Sequence, residues 1–309
     1  MKKPKVVIFC TSYNHEKYIE ETLNSIINQK TNYSFRIVVH DDASTDKSQE
    51  IIQKYADQNS NMIYPILQKE NQLSKGINIY NQLPDVVTQG EYIAYCECDD
   101  FWTDENKLQK QIDYMETHPE CSMCVHNTLK VDEMGKSMDL YFNPSNEDCD
   151  YTASDVILAG GGGLFHTSSF LYRTSLKKEM PDCFMMKDIA DYPTAIYFAI
   201  KGTVHYFKET MSAYRVAAVQ SWSVVFNNNN PKRMKHYLEL GHALAEMNTY
   251  TKGIYSEAFE TVICDSEYMY LYLDYNIFDI LRVEKYRKLF KKNKFTTQVK
   301  YIIKAIIRR

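Results

Sequence analysis

The sequence predicts an α/β fold, in which an open and mostly parallel sheet is flanked by helices. Short apolar runs at residues 6–10, 35–39, 62–67 and 91–95 have the length and β-branched content of strands that are buried on both faces. Helical spacing of apolar residues follows the first two runs, and residues 77–87 are predicted as a helix before the fourth. This alternation of strands and helices is typical of a parallel sheet with right-handed crossovers.

The composition is that of an ordinary globular protein, with 44% hydrophobic and 25% charged residues among 309. A net charge of −4 argues against general nucleic-acid binding. Residues 285–309 carry ten Lys or Arg side chains and no acid, whereas the remainder carries 26 basic and 40 acidic side chains. No apolar stretch approaches the roughly 18–20 residues that span a membrane, and the first apolar run is too short for a signal peptide, so we expect a cytoplasmic protein.

Acidic side chains cluster directly after the fourth apolar run, where Glu97, Asp99 and Asp100 fall within four positions. Charges that leave water without a partner cost several kcal/mol, and like charges raise each other's pKa values. A hard cation such as Mg²⁺ or Mn²⁺, held by one or two carboxylates and by phosphate oxygens, would remove this cost. The alternative is a solvated acidic turn.

Polar residues also follow the first two apolar runs, at residues 11–14 and at Asp41 and Asp42. Because ligands of open parallel sheets bind outside the carboxyl ends of the strands, these residues and the acidic cluster are predicted to meet at one edge of the sheet. The sequence has neither a Gly-x-Gly-x-x-Gly motif after the first run nor the full Walker-type motif Gly-x-x-x-x-Gly-Lys-Ser/Thr. A dinucleotide-binding fold and a P-loop NTPase are therefore disfavoured.

Three segments carry a more specific signal: Val-Val-Ile-Phe-Cys-Thr-Ser-Tyr-Asn at residues 6–14, Ile-Val-Val-His-Asp-Asp-Ala-Ser-Thr-Asp at residues 37–46, and Gly-Glu-Tyr-Ile-Ala-Tyr-Cys-Glu-Cys-Asp-Asp at residues 90–100. In this order and spacing they resemble the family 2 glycosyltransferases of the GT-A fold, of the bacterial polysaccharide and glycolipid type. The resemblance implies an inverting, metal-dependent enzyme. Such an enzyme moves a sugar from a nucleotide-diphosphate sugar, with UDP as the expected nucleotide, to a hydroxyl of a saccharide or lipid-linked acceptor.

The resemblance also implies roles for individual residues near these motifs. It assigns the nucleoside to Thr11, Tyr13 and Asp42. It assigns the diphosphate and a Mn²⁺ or Mg²⁺ ion to Asp99 and Asp100. The glycine that usually follows the aspartates of the second motif is Ala43 here. Lys75 would lie near the phosphates, and the alternative for it is a solvated loop lysine.

Further candidate residues lie beyond the motifs. Asp191 precedes an apolar helix predicted at residues 194–200, and the resemblance implies that it is the catalytic base, with Asp188 as the second candidate. The alternative for Asp191 is a helix N-cap, since a carboxylate is stabilised there. Arg215 is expected to pair with the donor diphosphate and Trp222 to stack on the sugar or acceptor; the alternative is an edge strand and a buried tryptophan.

Two other classes of function stay open. A sugar nucleotidyltransferase would use a similar sheet and metal, but would normally have a glycine- and lysine-rich loop after the first strand. A non-catalytic nucleotide-sugar-binding protein would result if the metal site were degenerate.

Four glycines at residues 160–163 are predicted to form a flexible loop near the acceptor, and His166 either contacts substrate or has a structural role.

The sequence Asn-Asn-Asn-Asn-Pro at residues 227–231 predicts a domain boundary. We expect a glycosyltransferase domain at residues 1–226, with a nucleotide-sugar half at residues 1–105 and an acceptor half at residues 106–226, followed by a helical region at residues 227–309. The last segment predicts a basic amphipathic helix. It would bind an anionic membrane surface, or it would pack against the body of the protein or a second subunit.

The eight cysteines are predicted to be reduced thiols, as is usual in a cytoplasmic protein. Cys121 and Cys124 have the spacing of half a zinc site, but no second pair with suitable spacing accompanies them. They lie in a predicted strand, where residues three apart are expected to face opposite sides. A structural zinc site is therefore disfavoured.

Overall fold

The computed structural model describes residues 3–80, 82–186, 189–216, 226 and 229–307. The chain forms two compact units, Met1–Ala218 and Val219–Arg309. The first unit contains a β-sheet and the second is helical. The domain limits expected from the sequence, including the division into two functional halves, stay predictions.

The strands of the first unit are β1 (Val6–Ser12), β2 (Phe35–Asp41), β3 (Ile63–Leu67), β4 (Tyr92–Tyr95), β5 (Phe101–Trp102), β6 (Cys121–Val131), β7 (Ser137–Phe142), β8 (Cys149–Tyr151), β9 (Leu171–Arg173) and β10 (Thr203–Arg215). They form one sheet in the order β3-β2-β1-β4-β9-β6-β10-β5, while β7 pairs with β6 and β8 with β10. β1 is parallel to β2 and β4, and β2 is parallel to β3. The predicted α/β fold with an open, mostly parallel sheet is confirmed.

Six helices flank this sheet in the described part of the first unit: α1 (Ile19–Ile27), α2 (Ser48–Gln58), α3 (Lys107–Thr117), α4 (Ala153–Leu158), α5 (Thr174–Lys178) and α6 (Asp191–Lys201). Helix α1 shows why they form. Its apolar residues Ile19, Leu23 and Ile26 recur at helical spacing and are fully buried in one core with β1 and β2. Glu20 and Glu21 lie in its first turn, where the helix dipole favours negative charge.

The helix predicted at residues 77–87 is wrong. The described residues of this segment contain only the beginning of a 3₁₀ helix, Val87–Gln89. Pro84 has no amide hydrogen and disfavours helical geometry at the residue before it. Asn78 also competes with a helix, because its side-chain oxygen accepts a hydrogen bond from the amide of Tyr80 at 2.9 Å.

The expected orientation of Cys121 and Cys124 is also wrong, because their sulfur atoms lie 3.8 Å apart on one side of β6. A bulge explains this. Thr203 pairs with Cys121 and Val204 with Met123, so the pairing skips one residue of β6 and the alternation of side chains shifts by one position. Both cysteines are buried free thiols.

The second unit contains α7 (Asn230–Tyr250), α8 (Ser256–Leu273), α9 (Ile277–Arg282), α10 (Glu284–Lys291) and α11 (Phe295–Ile307). The side chain of Asn229 caps the start of α7, because it accepts a hydrogen bond from the amide of Lys232 at 2.9 Å. No described helix is both long enough and apolar enough to cross a lipid bilayer.

Candidate active site

The carboxyl ends of β1, β2 and β4 lie at the same edge of the sheet, as their parallel pairing requires. The amide of Asp42, just beyond β2, donates to the carbonyl oxygen of Ser12 at 2.9 Å. Tyr80 links the segment after β1 to the segment after β4, because its hydroxyl lies 2.8 Å from Thr11 Oγ1 and donates to Glu97 Oε1 at 2.6 Å. The structure therefore brings together the three polar segments that the sequence assigned to a ligand site.

The turn that follows β4 is held from two sides. From α1, the hydroxyl of Thr22 lies 3.0 Å from the carbonyl oxygen of Cys98 and 2.6 Å from that of Asp100. From the end of β10, the backbone amide of Arg215 donates to Asp100 Oδ1 at 2.9 Å. The Nε–H of the same arginine donates to the carbonyl oxygen of Asp99, also at 2.9 Å. These bonds fix the Asp100 carboxylate inside the protein.

Asp100 is buried, and the described residues leave its second carboxylate oxygen without a hydrogen-bond donor. Within the described part of the chain, Oδ2 has no hydrogen-bond partner, and it lies 3.7 Å from His166 Nε2. Burial raises the pKa of Asp100 well above its usual range, and the charges of Asp99 and Glu97 add to this effect. Burial, followed by the charges of Asp99 and Asp191, raises the pKa of Glu97 to about 7. Concentrated negative charge of this kind is stabilised by a cation.

Glu97, Asp100 and His166 could hold that cation, because each offers one ligand atom and these atoms lie within 4.8 Å of one another. The Nδ1 atom of His166 is engaged by Ser168, at 2.8 Å from its hydroxyl and 3.3 Å from its amide, which leaves Nε2 on the side of Asp100. Burial and the charge of Lys130 lower the pKa of His166 to about 3, so the ring is neutral, as a metal ligand must be. The carboxylate oxygens suit Mn²⁺ or Mg²⁺, and the imidazole favours Mn²⁺, the transition-metal ion of the two.

Asp99 lies at the edge of this cluster. Its Oδ2 atom is 3.9 Å from His15 Nε2. The three side chains that could hold a metal ion are Asp100, Glu97 and His166, and they do not include Asp99. The sequence assigned the metal to Asp99 and Asp100, and the contribution of Asp99 stays a prediction. Glu97 was visible in the sequence as the third acid of its motif, whereas the approach of His166, 66 positions after Asp100, depends on the fold.

The carboxylate of Asp42 fixes the next loop. Its Oδ1 accepts a hydrogen bond from the amide of Gln72 at 2.6 Å, and its Oδ2 accepts one from the amide of Leu73 at 3.2 Å. Lys75, on the same loop, forms an ion pair with Glu70. The predicted contacts of Asp42 with the nucleoside and of Lys75 with the phosphates stay predictions.

Ala43 has a backbone φ of +62°, a left-handed conformation that is strained for a residue with a Cβ atom. This explains why a glycine suits the position. We expect Ala43→Gly to raise the free energy of unfolding by about 1 kcal/mol in urea denaturation. The same substitution at Ala56, inside α2, should instead lower it by about 1 kcal/mol. A loss of stability in Ala43→Gly would contradict the explanation.

The guanidinium group of Arg215 is surrounded by protein groups. It donates to Glu21 Oε2 at 2.6 Å and to the carbonyl oxygen of Glu133 at 2.9 Å, and it lies 4.6 Å from the ring centre of Tyr18. With its bond to Asp99, the side chain links α1 to the turn after β4. The predicted pairing of Arg215 with a diphosphate stays a prediction, and it would require some of these contacts to be exchanged.

Asp191 is the first residue of α6, and its Oδ1 accepts a hydrogen bond from the amide of Tyr192 at 2.8 Å. Burial raises the pKa of Asp191. Its other oxygen lies against Gly162, where an added Cβ atom would overlap it. The charge of Asp191 is among the causes that raise the pKa of Glu97. Its role as a base stays a prediction.

The remaining predicted residues are placed as follows. Thr11 is half-buried at the end of β1, and Tyr13, just beyond it, is 40% exposed. Asp188 and Trp222 lie outside the described residues. Their predicted roles, as second candidate base and as stacking residue, stay predictions.

Comparisons with known sequences agree with these observations. A family model described as "Glycosyl transferase family 2" matches residues 7–180. The uncharacterized protein Rv1520 of Mycobacterium tuberculosis is 32% identical over 240 residues, which are 77% of this chain and 65% of that protein. The chain thus spans just under two thirds of the length of this relative. The putative teichuronic acid biosynthesis glycosyltransferase TuaG of Bacillus subtilis is 32% identical over 113 residues, which are 37% of this chain and 42% of TuaG.

Comparison with solved structures supports the fold. The crystal structure of S. aureus TarS 1–349 in complex with UDP superposes with a TM-score of 0.59 and 17% sequence identity, over 96% of this chain and 78% of TarS 1–349. This likeness confirms the predicted GT-A fold. The family model covers more than half of the chain and includes all three motifs. The chain therefore belongs to glycosyltransferase family 2.

Proposed function

We propose that the protein is an inverting, metal-dependent glycosyltransferase that moves a sugar from a nucleotide-diphosphate sugar to a hydroxyl group of a saccharide or lipid-linked acceptor. One observation carries this proposal: the buried Asp100 presents an oxygen without a hydrogen-bond partner, among the described residues, at the strand ends where such donors bind. The UDP complex of TarS supports a UDP-sugar as the donor, and the likeness to TuaG, a putative teichuronic acid biosynthesis glycosyltransferase, supports an acceptor in polysaccharide synthesis.

Asp100 would hold the cation together with Asp99, as the sequence predicts, and Glu97 and His166 lie near enough to complete the site. When bound, Mn²⁺ or Mg²⁺ supplies Lewis acidity that neutralises the charge developing on the departing nucleoside diphosphate. The hydroxyl of Ser168 supports His166 from behind, and it is itself 2.8 Å from the hydroxyl of Ser212. This second layer of hydrogen bonds fixes the ring that faces Asp100.

Thr11, Tyr13 and Asp42 would bind the nucleoside. Asp42 accepts two backbone hydrogen bonds, and a carboxylate has further lone pairs with which to accept an N–H of the base. The exposed ring of Tyr13 lies at the same strand end and offers a stacking surface.

Asp191 would act on the acceptor. Its carboxylate takes the proton of the acceptor hydroxyl, while the oxygen of that hydroxyl forms a bond to the anomeric carbon of the donor sugar from the face opposite the diphosphate. The bond from that carbon to the phosphate oxygen breaks, and its electron pair leaves with the nucleoside diphosphate. A single displacement of this kind inverts the anomeric configuration, and it requires no covalent intermediate with the protein.

The proposal is tested by incubating the protein with Mn²⁺, a panel of nucleotide sugars and saccharide or lipid-linked acceptors. Release of nucleoside diphosphate should depend on both donor and acceptor, and NMR of the product should show the inverted anomeric configuration. Release of pyrophosphate from a sugar phosphate and a nucleoside triphosphate would identify a nucleotidyltransferase instead. Donor binding without turnover, across the acceptor panel, would favour a binding protein.

Gly162 offers a test of the position of Asp191. An alanine side chain would overlap Asp191 Oδ2, so Gly162→Ala is expected to displace the carboxylate and reduce turnover by about 10²-fold, with little change in donor affinity. Gly161→Ala and Gly163→Ala are matched controls, since an added Cβ atom meets no atom of the described residues within 4 Å at either position. Equal turnover in all three variants would show that the observed position of Asp191 does not matter for transfer.

A further inference from the structure

One face of α11 is packed inside the second unit. Tyr301 and Ala305 are buried, at 4% and 2% exposure. The ring centre of Tyr301 lies 4.3 Å from that of Tyr272 and 5.3 Å from that of Tyr275, with nearly parallel planes. The hydroxyl of Tyr301 also donates to the carbonyl oxygen of Leu271 at 3.3 Å. These contacts fix the rotation of the helix about its axis and therefore define the faces that it exposes.

Another face of α11 carries an apolar stripe. Its members each lie three or four residues from another member and are between 38% and 77% exposed: Phe295, Val299, Ile303, Ile306 and Ile307. Ile302 does not belong to the stripe, because it is half-buried against the core of the unit. An exposed cluster of large apolar side chains on one helix face marks an interaction surface.

Basic side chains accompany the stripe. Exposed lysines lie on α11 and in the segment before it: Lys291, Lys292, Lys294, Lys300 and Lys304. Two other basic residues of this region are already neutralised. Lys285 pairs with Glu267 at 2.7 Å, and Lys288 pairs with Glu284 at 2.9 Å. The sequence contains no acid from residue 285 onward, so α11 and the segment before it are basic in net charge.

We propose that the apolar stripe and its lysines dock on the surface of an anionic lipid bilayer. An apolar helix face enters the boundary between headgroups and acyl chains, while adjacent lysines contact anionic headgroups. A second copy of the chain fits this surface less well. A symmetric contact between two stripes would bring Lys300 and Lys304 of both copies together, and their charges repel. The proposal does not depend on glycosyl transfer.

Flotation of the intact protein with lipid vesicles tests the proposal, without donor or metal. We expect binding to phosphatidylcholine vesicles that contain about 30% phosphatidylglycerol, weak binding to phosphatidylcholine alone, and release at about 1 M salt, where charge is screened within about 3 Å. The double variant Lys300→Gln/Lys304→Gln should bind anionic vesicles about 30-fold more weakly, at about fivefold per charge. The double variant Ile303→Ser/Ile306→Ser should bind at least about tenfold more weakly.

Ile254→Ser is the matched control for the apolar change. Ile254 is 75% exposed in the same unit but lies outside α11, so its replacement should leave vesicle binding unchanged. Equal binding to neutral and anionic vesicles would overturn the proposal. Stripe variants that bind like the control would also overturn it. If Ile303→Ser/Ile306→Ser instead converted a dimer to a monomer in analytical ultracentrifugation, with vesicle binding unaffected, the stripe would be a contact between copies of the chain.

Discussion

Replacing Asp191 with Asn is expected to reduce sugar transfer by about 10²–10⁴-fold, while the affinity for the donor stays nearly unchanged. The carboxylate would act on the acceptor hydroxyl, and an amide of the same shape has no basic lone pair that could take a proton. An amide oxygen can still accept the hydrogen bond from the amide of Tyr192, which the carboxylate accepts at 2.8 Å. The start of α6 should therefore survive the change. Turnover and donor titration, measured on the same preparation, separate the two effects.

The pH dependence of the transfer rate should also reflect the protonation of the Asp191 carboxylate. Burial raises the pKa of Asp191, so the pH at which activity is lost on acidification should lie above the pKa of an ordinary aspartate, which is about 4. Asp155→Asn is a control for capping, because Asp155 accepts a hydrogen bond from the amide of Thr152 at the start of α4. An asparagine can keep this bond as well, so the variant should lose only a charge at the start of a helix and leave turnover unchanged. If donor affinity fell together with the rate in Asp191→Asn, Asp191 would be a structural cap, and Asp188 would be tested next.

The elements that the sequence predicted best are those that local rules control. Buried parallel strands such as β1 and β2 appear as continuous apolar runs, and α1 and α2 follow them with apolar residues at helical spacing. Residues 77–87 failed because their apolar residues fit a helix while Pro84 prevents one. The prediction that Cys121 and Cys124 face opposite sides of the strand was wrong because a bulge depends on the partner strand, which the sequence of β6 alone does not reveal.

The candidate site shows the same division between local and distant information. The meeting of Thr11, Asp42 and the acidic turn follows from the direction of parallel strands, and it could be predicted. The approach of His166 to Asp100 could not, because it depends on how β6, β9 and β10 complete the sheet. The contacts of Arg215 are similar. A Tyr-Arg pair in sequence suggests a ligand contact, but its partners on α1 and beyond β6 become visible only in the fold.

Replacing Asp100 with Asn is expected to abolish tight binding of Mn²⁺ and to reduce transfer by about 10²-fold or more, because the site loses a hard anionic ligand. Mn²⁺ affinity can be measured by electron paramagnetic resonance without donor or acceptor. Glu105→Gln is the control, because it removes one charge from an exposed residue that pairs with Lys30. It should change neither the affinity for Mn²⁺ nor the rate of transfer. Full activity of the wild-type protein in excess EDTA, or of Asp100→Asn, would contradict the metal-dependent mechanism.

Stability separates this function from a structural role of Asp100. Because burial raises the pKa of Asp100, the folded state holds its proton more tightly than the unfolded state does. Stability of the metal-free protein should therefore decrease as the pH rises from about 4 through that raised pKa. An asparagine keeps an oxygen for the amide of Arg215 but carries no charge, so in EDTA at neutral pH Asp100→Asn should be more stable by on the order of 1–3 kcal/mol. The difference should shrink as the pH falls and should vanish below about 4, where the aspartate is protonated in both states. A variant that loses both metal binding and stability would show that Asp100 mainly supports the fold. A more stable variant without metal binding would show that the buried charge is kept for the cation.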